Sequence, residues 1–332
     1  MHPDDFEAMI EGDSVELRSG ALALTCVPRH GNVVTSLAID GVELLWRRPG
    51  FSPATIQRDL GPSGAASIDT FMDLFVGGWF QMFPSVGLPG KSGAAFDLLH
   101  GEAARLPWRI VAQSPSELVT RVNTLRTPFE VERRLEVDGQ AVRCSTNVRN
   151  VGREEAPFLW GEHPCFDRGV FAGGAIAIDD APLLTANPPH DPPNSQLEAG
   201  ARGRWPRAPA ADNSLFDVGA IPHTPDGRHE HICLRPAQGS VRLTSPKLGR
   251  TITLDFDLTT YPFVLVWQNY RAPGGSCWGA IDTFTVEPSN NPGLYSDDAL
   301  AAESIQTLTP GEERETAFTI IVSDRSVGTG QA

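Results

Sequence analysis

Apolar and polar positions alternate along much of this chain, and almost nowhere does a helical period persist for the length of a helix. The pattern opens with Val15-Glu16-Leu17 and Ala21–Val27, continues through Asn32–Ile39 and resumes at Val42–Trp46 after Asp40-Gly41. Asp-Gly between two apolar runs predicts a tight hairpin, because both turn residues must accept positive φ. Arg109–Ala112, Glu117–Thr124, Phe129–Val137 and Ala141–Val148 predict a meander with turns at Ser114-Pro115, Thr127-Pro128 and Asp138-Gly139. Phe158–His163 predicts a further strand, stopped by Pro164. Ser240–Thr244, Thr251–Leu258 and Phe263–Asn269 follow, and a turn at Leu308–Glu312 leads into Glu315–Val322. One short helix is expected over residues 297–306.

Two segments break the alternation. Residues 48–100 are rich in Gly and Pro and dense in aromatics around Gly77–Pro84, with no sustained period. So many large apolar groups predict packed, functional structure. Residues 182–226 form a long Pro-, Asn- and Asp-rich excursion flanked by strands of the same kind. Many antiparallel strands joined by polar turns imply an all-β fold, a sandwich or barrel. A single domain is expected over residues 1–332, with an ordered core at about 14–323.

Composition narrows the function. The net charge of −14 disfavours a phosphate backbone as partner, so no nucleic acid is expected. Five widely spaced cysteines, Cys26, Cys144, Cys165, Cys233 and Cys277, form neither a disulfide framework nor a zinc ribbon and predict free thiols in a reducing compartment. Residues 1–14 carry no basic start and no apolar run of signal length, and no later stretch has the length of a membrane span. The expectation is a cytoplasmic protein without a membrane partner, monomeric or homodimeric.

Six fragments in order resemble the aldose 1-epimerase (galactose mutarotase-like) family. They are Val27–Leu37 with Gly41–Trp46; Gly77-Gly78-Trp79 with Met82-Phe83-Pro84; Leu99–Arg105 with Pro107-Trp108; Gly161–Phe166; Val286-Glu287-Pro288; and Leu308–Glu312. The resemblance implies a large twisted antiparallel β-sandwich with few short helices, and interconversion of the α and β anomers of a free sugar. It implies Glu287 as catalytic base, His163 as catalytic acid and His100 as a hydroxyl-binding residue. The chain departs from the family in having no arginine between Pro84 and His100, so Arg105 is a candidate substitute.

The residue types suit that chemistry. Opening a hemiacetal requires one group to take the anomeric proton and another to protonate the ring oxygen, with no metal or organic cofactor. A carboxylate can be the first and an imidazole the second. The ordinary alternatives are a solvated strand-end Glu287, a core His163 satisfied by a carbonyl, a loop His100 without a role and a surface salt bridge for Arg105. Strand alternation turns Glu162 away from any site that His163 faces. Trp79, Trp267 and Trp278 are candidates for stacking on a sugar, against the commoner fate of core packing. Gln268, Asn269 and Asp282 are candidate hydroxyl partners. His229-Glu230-His231 could suggest a metal, but no third ligand stands at a familiar spacing, so an exposed polar hairpin is expected. Three functions stay open: a mutarotase; an epimerase or isomerase of a phosphorylated, sulfonated or acidic sugar; and a carbohydrate-binding protein without turnover.

Overall fold

A computed structural model describes residues 14–49, 71–72, 75–90, 98–186, 194–274, 279–301 and 303–324. Two antiparallel sheets dominate it. The first runs Val15–Ser19, Leu22–Val27, Val33–Ile39, Trp79–Met82, Gly161–Asp167, Asp282–Thr285, Phe263–Tyr270, His229–Leu234 and Pro182–Ala186, and ends in short strands at 203–204, 207–209 and 215–217. The second runs Ala175–Ala177, Ser240–Ser245, Arg250–Phe256, Glu313–Asp324, Ala141–Asn150, Phe129–Asp138, Glu117–Asn123 and Arg109–Gln113. The inward residues of both sheets share one apolar core, including Leu24 and Leu37 from the first and Val131, Leu254 and Ile320 from the second. Trp79 reaches across to Phe318, with ring centroids 5.3 Å apart.

The meander forms because its alternation matches a sheet with one covered face. Phe129–Asp138 alternates buried and half-buried along almost its whole length. At the first hairpin Asp40 and Gly41 have φ of 50° and 79°, as a primed turn demands. Helix is confined among the described residues to short pieces. Ser296–Ala301 is shorter than the expected 297–306, because Gln306–Leu308 is drawn out as a strand against Ala156–Phe158.

Two further expectations need correction. Residues 48–100 hide a strand: Trp79–Met82 is buried at every position, and a strand covered on both faces shows no alternation. Pro164 does not end its strand; Gly161–Asp167 runs through it. Its neighbour accommodates it. Gly161 pairs with Ser289 and Cys165 with Thr285, so the register sets Pro164 opposite Val286. Cys165 donates its N–H toward Gly78 on one side, so the Pro164 nitrogen faces the other. There the partner chain breaks between Asp282–Thr285 and Glu287–Ser289, where a residue without an N–H has nothing to donate.

The core-facing side of Gly161–Asp167 carries a buried charge. Glu162 accepts from Trp79 Nε1 at 2.7 Å and from Arg133 Nη2 at 2.8 Å. Arg133 also donates to Cys144 Sγ at 2.9 Å. No helix among the described residues is long and apolar enough to cross a membrane.

Candidate active site

Antiparallel register lines up side chains in rows across a sheet, two residues or roughly 6.7 Å apart along each strand. On the face turned away from the core, one row reads Phe80, His163, Glu287, Leu265 and Cys233. The next holds Cys165, Thr285, Trp267 and His231, and the third Asp167, Thr283, Asn269 and His229. Residues distant in sequence thus meet because their strands are neighbours.

His163 and Glu287 sit side by side, Nε2 to Oε1 at 3.3 Å, both nearly inaccessible. The next row supports each of them. Cys165 Sγ lies 3.4 Å from His163 Nδ1. Thr285 Oγ1 donates to Glu287 Oε1 at 2.5 Å and accepts the Trp267 N–H at 3.2 Å. Phe80 stacks on the His163 ring at 4.4 Å. His100 completes the wall, 5.0 Å from His163 and 4.8 Å from Phe71. Its Nδ1 is buried without a hydrogen-bond partner among the described residues.

The loop that carries His100 is held by its own sequence. A Cβ on Gly101 would lie 2.3 Å from the Phe83 backbone, at φ +75°, so only glycine fits there. Glu102 anchors the loop to the Thr127-Pro128 turn by accepting from the backbone N–H groups of Leu125, Arg126 and Thr127.

Burial sets the electrostatics. It pushes the Glu287 carboxyl up to about 8, against the opposing Thr285 hydrogen bond. Burial pulls His163 down to about 3, opposed by its own backbone carbonyl and assisted by His231. Both shifts favour the uncharged forms, so burial works against an ion pair between the two groups. His100 is held well below the usual imidazole range, by burial first and then by His163 and Arg105. Arg105 lies over the Phe71 ring at 5.7 Å, donates to the Leu99 carbonyl and is lowered to about 10, chiefly by burial.

Trp267 lines the same face. Its ring is 6.2 Å from that of His163 and stacks on that of His231 at 6.4 Å. Its Nε1–H donates to His229 Nε2 at 2.6 Å, which leaves His229 with its proton on Nδ1.

Glu287, His163, His100, Arg105 and Trp267 are thus brought to one place, with Asn269 in the third row. Three candidates are not. Trp79 is fully buried on the core side, bonded to Glu162, because it pairs opposite Pro164 rather than His163. Gln268 points to the core and donates to the Val218 carbonyl. Asp282 is engaged by Arg168 at 2.5 Å and Arg271 at 3.1 Å. Trp278 lies outside the described residues. The expected exposed hairpin at His229-Glu230-His231 is instead a strand beside Phe263–Tyr270, with Glu230 buried and both histidines on the site face. The spacing already put His229 and His231 on one side; the strand beside them was the missing information. Cys165, Thr285 and the phenylalanine wall had no signal of their own. A separate open groove of ≈ 570 Å³, lined by Arg29, Trp108 and Arg109 among others, shares none of these residues.

No protein-family model matches the chain, and no curated protein matches it. Solved structures do. The Slr1438 protein from Synechocystis sp. PCC 6803 is similar at a TM-score of 0.66 and 18% identity, over 94% of this chain and 96% of its own. A galactose mutarotase related enzyme from Lactobacillus acidophilus is similar at 0.63 and 14%, over 94% and 98%. A galactose mutarotase-like protein from Clostridium acetobutylicum is similar at 0.62 and 12%, over 94% and 95%. At these identities the likeness is one of fold, and the chain has the galactose mutarotase-like fold.

Proposed function

We propose that this chain is an aldose 1-epimerase that interconverts the α and β anomers of a free aldose. The observation that carries the reading is the His163–Glu287 pair at 3.3 Å, set among imidazoles and aromatic rings on the sheet face turned away from the core. Glu287, as the carboxylate, takes the proton from the anomeric hydroxyl. As the bond between C1 and the ring oxygen breaks, the Nε2–H of His163 passes to that oxygen. The aldehyde rotates, the ring oxygen attacks its other face and returns the proton to His163, and Glu287 gives its proton back. Every proton is returned, so proton transfer suffices without metal or organic cofactor. A base whose pKa lies near working pH is effective. A neutral imidazole with a depressed pKa serves well where negative charge grows on oxygen. His100, Trp267 and His229 are proposed to hold the sugar. Free, buried Cys26, Cys144, Cys165 and Cys233 support a reducing, cytoplasmic setting.

Arg105, close to His100 and over Phe71, favours a second reading in which the sugar carries a phosphate, sulfonate or carboxylate. NMR anomer exchange on neutral and anionic aldoses, with wild type beside Glu287→Gln, tests both. Exchange that depends on Glu287 is expected, and its sugar class decides between the two readings. Saturable binding without exchange in either protein would sink both and leave a carbohydrate-binding protein.

A further inference from the structure

The hydrogen bonds around the pair have a direction. The Trp267 N–H can only donate, and it donates to Thr285 Oγ1 at 3.2 Å. Thr285 then sends its single hydroxyl proton to Glu287 Oε1 at 2.5 Å. In the carboxylate, the form in which Glu287 serves as base, both oxygens can only accept. His163 Nε2, 3.3 Å from Oε1, therefore meets that carboxylate with a hydrogen rather than a lone pair. A neutral imidazole has one N–H, so Nδ1 is left as an acceptor. Cys165 Sγ stands 3.4 Å from Nδ1 in a fully buried position.

We infer that Cys165 is a positioning residue, donating its S–H to His163 Nδ1 and so keeping the imidazole proton on Nε2, where the cleft needs a donor. Burial raises the thiol well above its ordinary range, so the S–H is present at every working pH. The competitor for Nδ1 is the backbone carbonyl of His163 itself, which would hold a hydrogen on Nδ1 and turn a bare Nε2 toward Glu287. The Glu287 carboxylate, which can only accept, decides against that tautomer. Which nitrogen carries the proton of a catalytic histidine is generally set by the bond its other nitrogen makes. The catalytic consequence rests on the mutarotase reading; the tautomer does not.

The test combines ¹⁵N-histidine NMR with anomer exchange. In the wild type above pH 8, where Glu287 is the carboxylate, the His163 signal, assigned by its loss in His163→Asn, is expected to show the Nε2–H tautomer. In Cys165→Ala it is expected to shift toward Nδ1–H, with kcat down about tenfold or more, as for partial loss of a general acid. KM is expected to stay within about twofold, because the change falls on the chemical step. Cys165→Ser, which restores a donor, is expected to recover both the tautomer and most of the rate. An Nδ1–H tautomer in the wild type overturns the inference, and so does an unchanged tautomer in Cys165→Ala. Should Cys165→Ala fail to fold, the wild-type spectrum alone decides. A wild type without exchange on any aldose would refute the mutarotase reading and leave the spectrum to judge Cys165.

Discussion

Consecutive residues on one strand meet opposite fates. Glu162 faces the core and is matched by Arg133 and Trp79 Nε1. His163 faces the opposite side, beside Glu287, and no cation pairs with that carboxyl among the described residues. Both carboxylates are buried to within a few per cent. In the core, a buried charge persists because a countercharge and hydrogen bonds replace water. Burial raises both carboxyls; Arg133 and Trp79 oppose it at Glu162, whereas only the Thr285 hydrogen bond opposes it at Glu287, which is left poised to exchange protons. The contrast separates a polar group that holds the fold from one that is available for chemistry.

Replacing each carboxylate tests that contrast most strongly. Glu287→Gln is expected to reduce anomer exchange by at least ~10²-fold without lowering stability in urea titrations at pH 8 and above. Its stability relative to wild type should improve with pH. The raised folded-state value of about 8 gives wild type an advantage that is complete below the unfolded value and is lost as pH climbs toward 8. Glu162→Gln leaves Arg133 without its countercharge and is expected to cost about 3–5 kcal/mol. Equal stability losses in the two variants would erase the distinction.

The pH–rate profile sharpens it. If Glu287 acts as the base, kcat/KM rises with pH through about 8, dropping roughly tenfold per unit below that. His163, already neutral down to about 3, adds no limb near neutrality. A flat profile between pH 6 and 9 would contradict this role for Glu287. The smallest effects concern the two tryptophans. Trp267→Phe is expected to raise KM with little change in melting temperature. Trp79→Phe removes the indole donor to Glu162 and is expected to lower stability by about 1–3 kcal/mol with KM unchanged. Swapped outcomes would place the cleft on the wrong side of the sheet.

Much of the frame was readable from residue order. The meander from Arg109 to Asn150, the Asp40-Gly41 turn and the turn at Asp138-Gly139 depend on neighbours close in sequence, so local pattern suffices. The opposition of Glu162 and His163 follows from the two-residue period of a strand. The strand's passage through Pro164 is not legible locally, because its tolerance depends on Val286, more than a hundred residues away. The side that Trp79 faces is not legible locally either, because a strand buried on both faces gives no sign of which face is which.

The sequence by itself thus determined the alternating strands, their tight turns, and which side chains on such a strand share a face, since these follow from local sterics and a fixed period. Only the tertiary structure decided which strands are neighbours. That choice put Glu287 beside His163, turned His229 and His231 toward Trp267, and sent Trp79, Gln268 and Asp282 elsewhere. The physical reason is that strand order is settled by long-range pairing and core packing, while the chemistry of a buried group is settled by what desolvates it and what stands within about 3–4 Å.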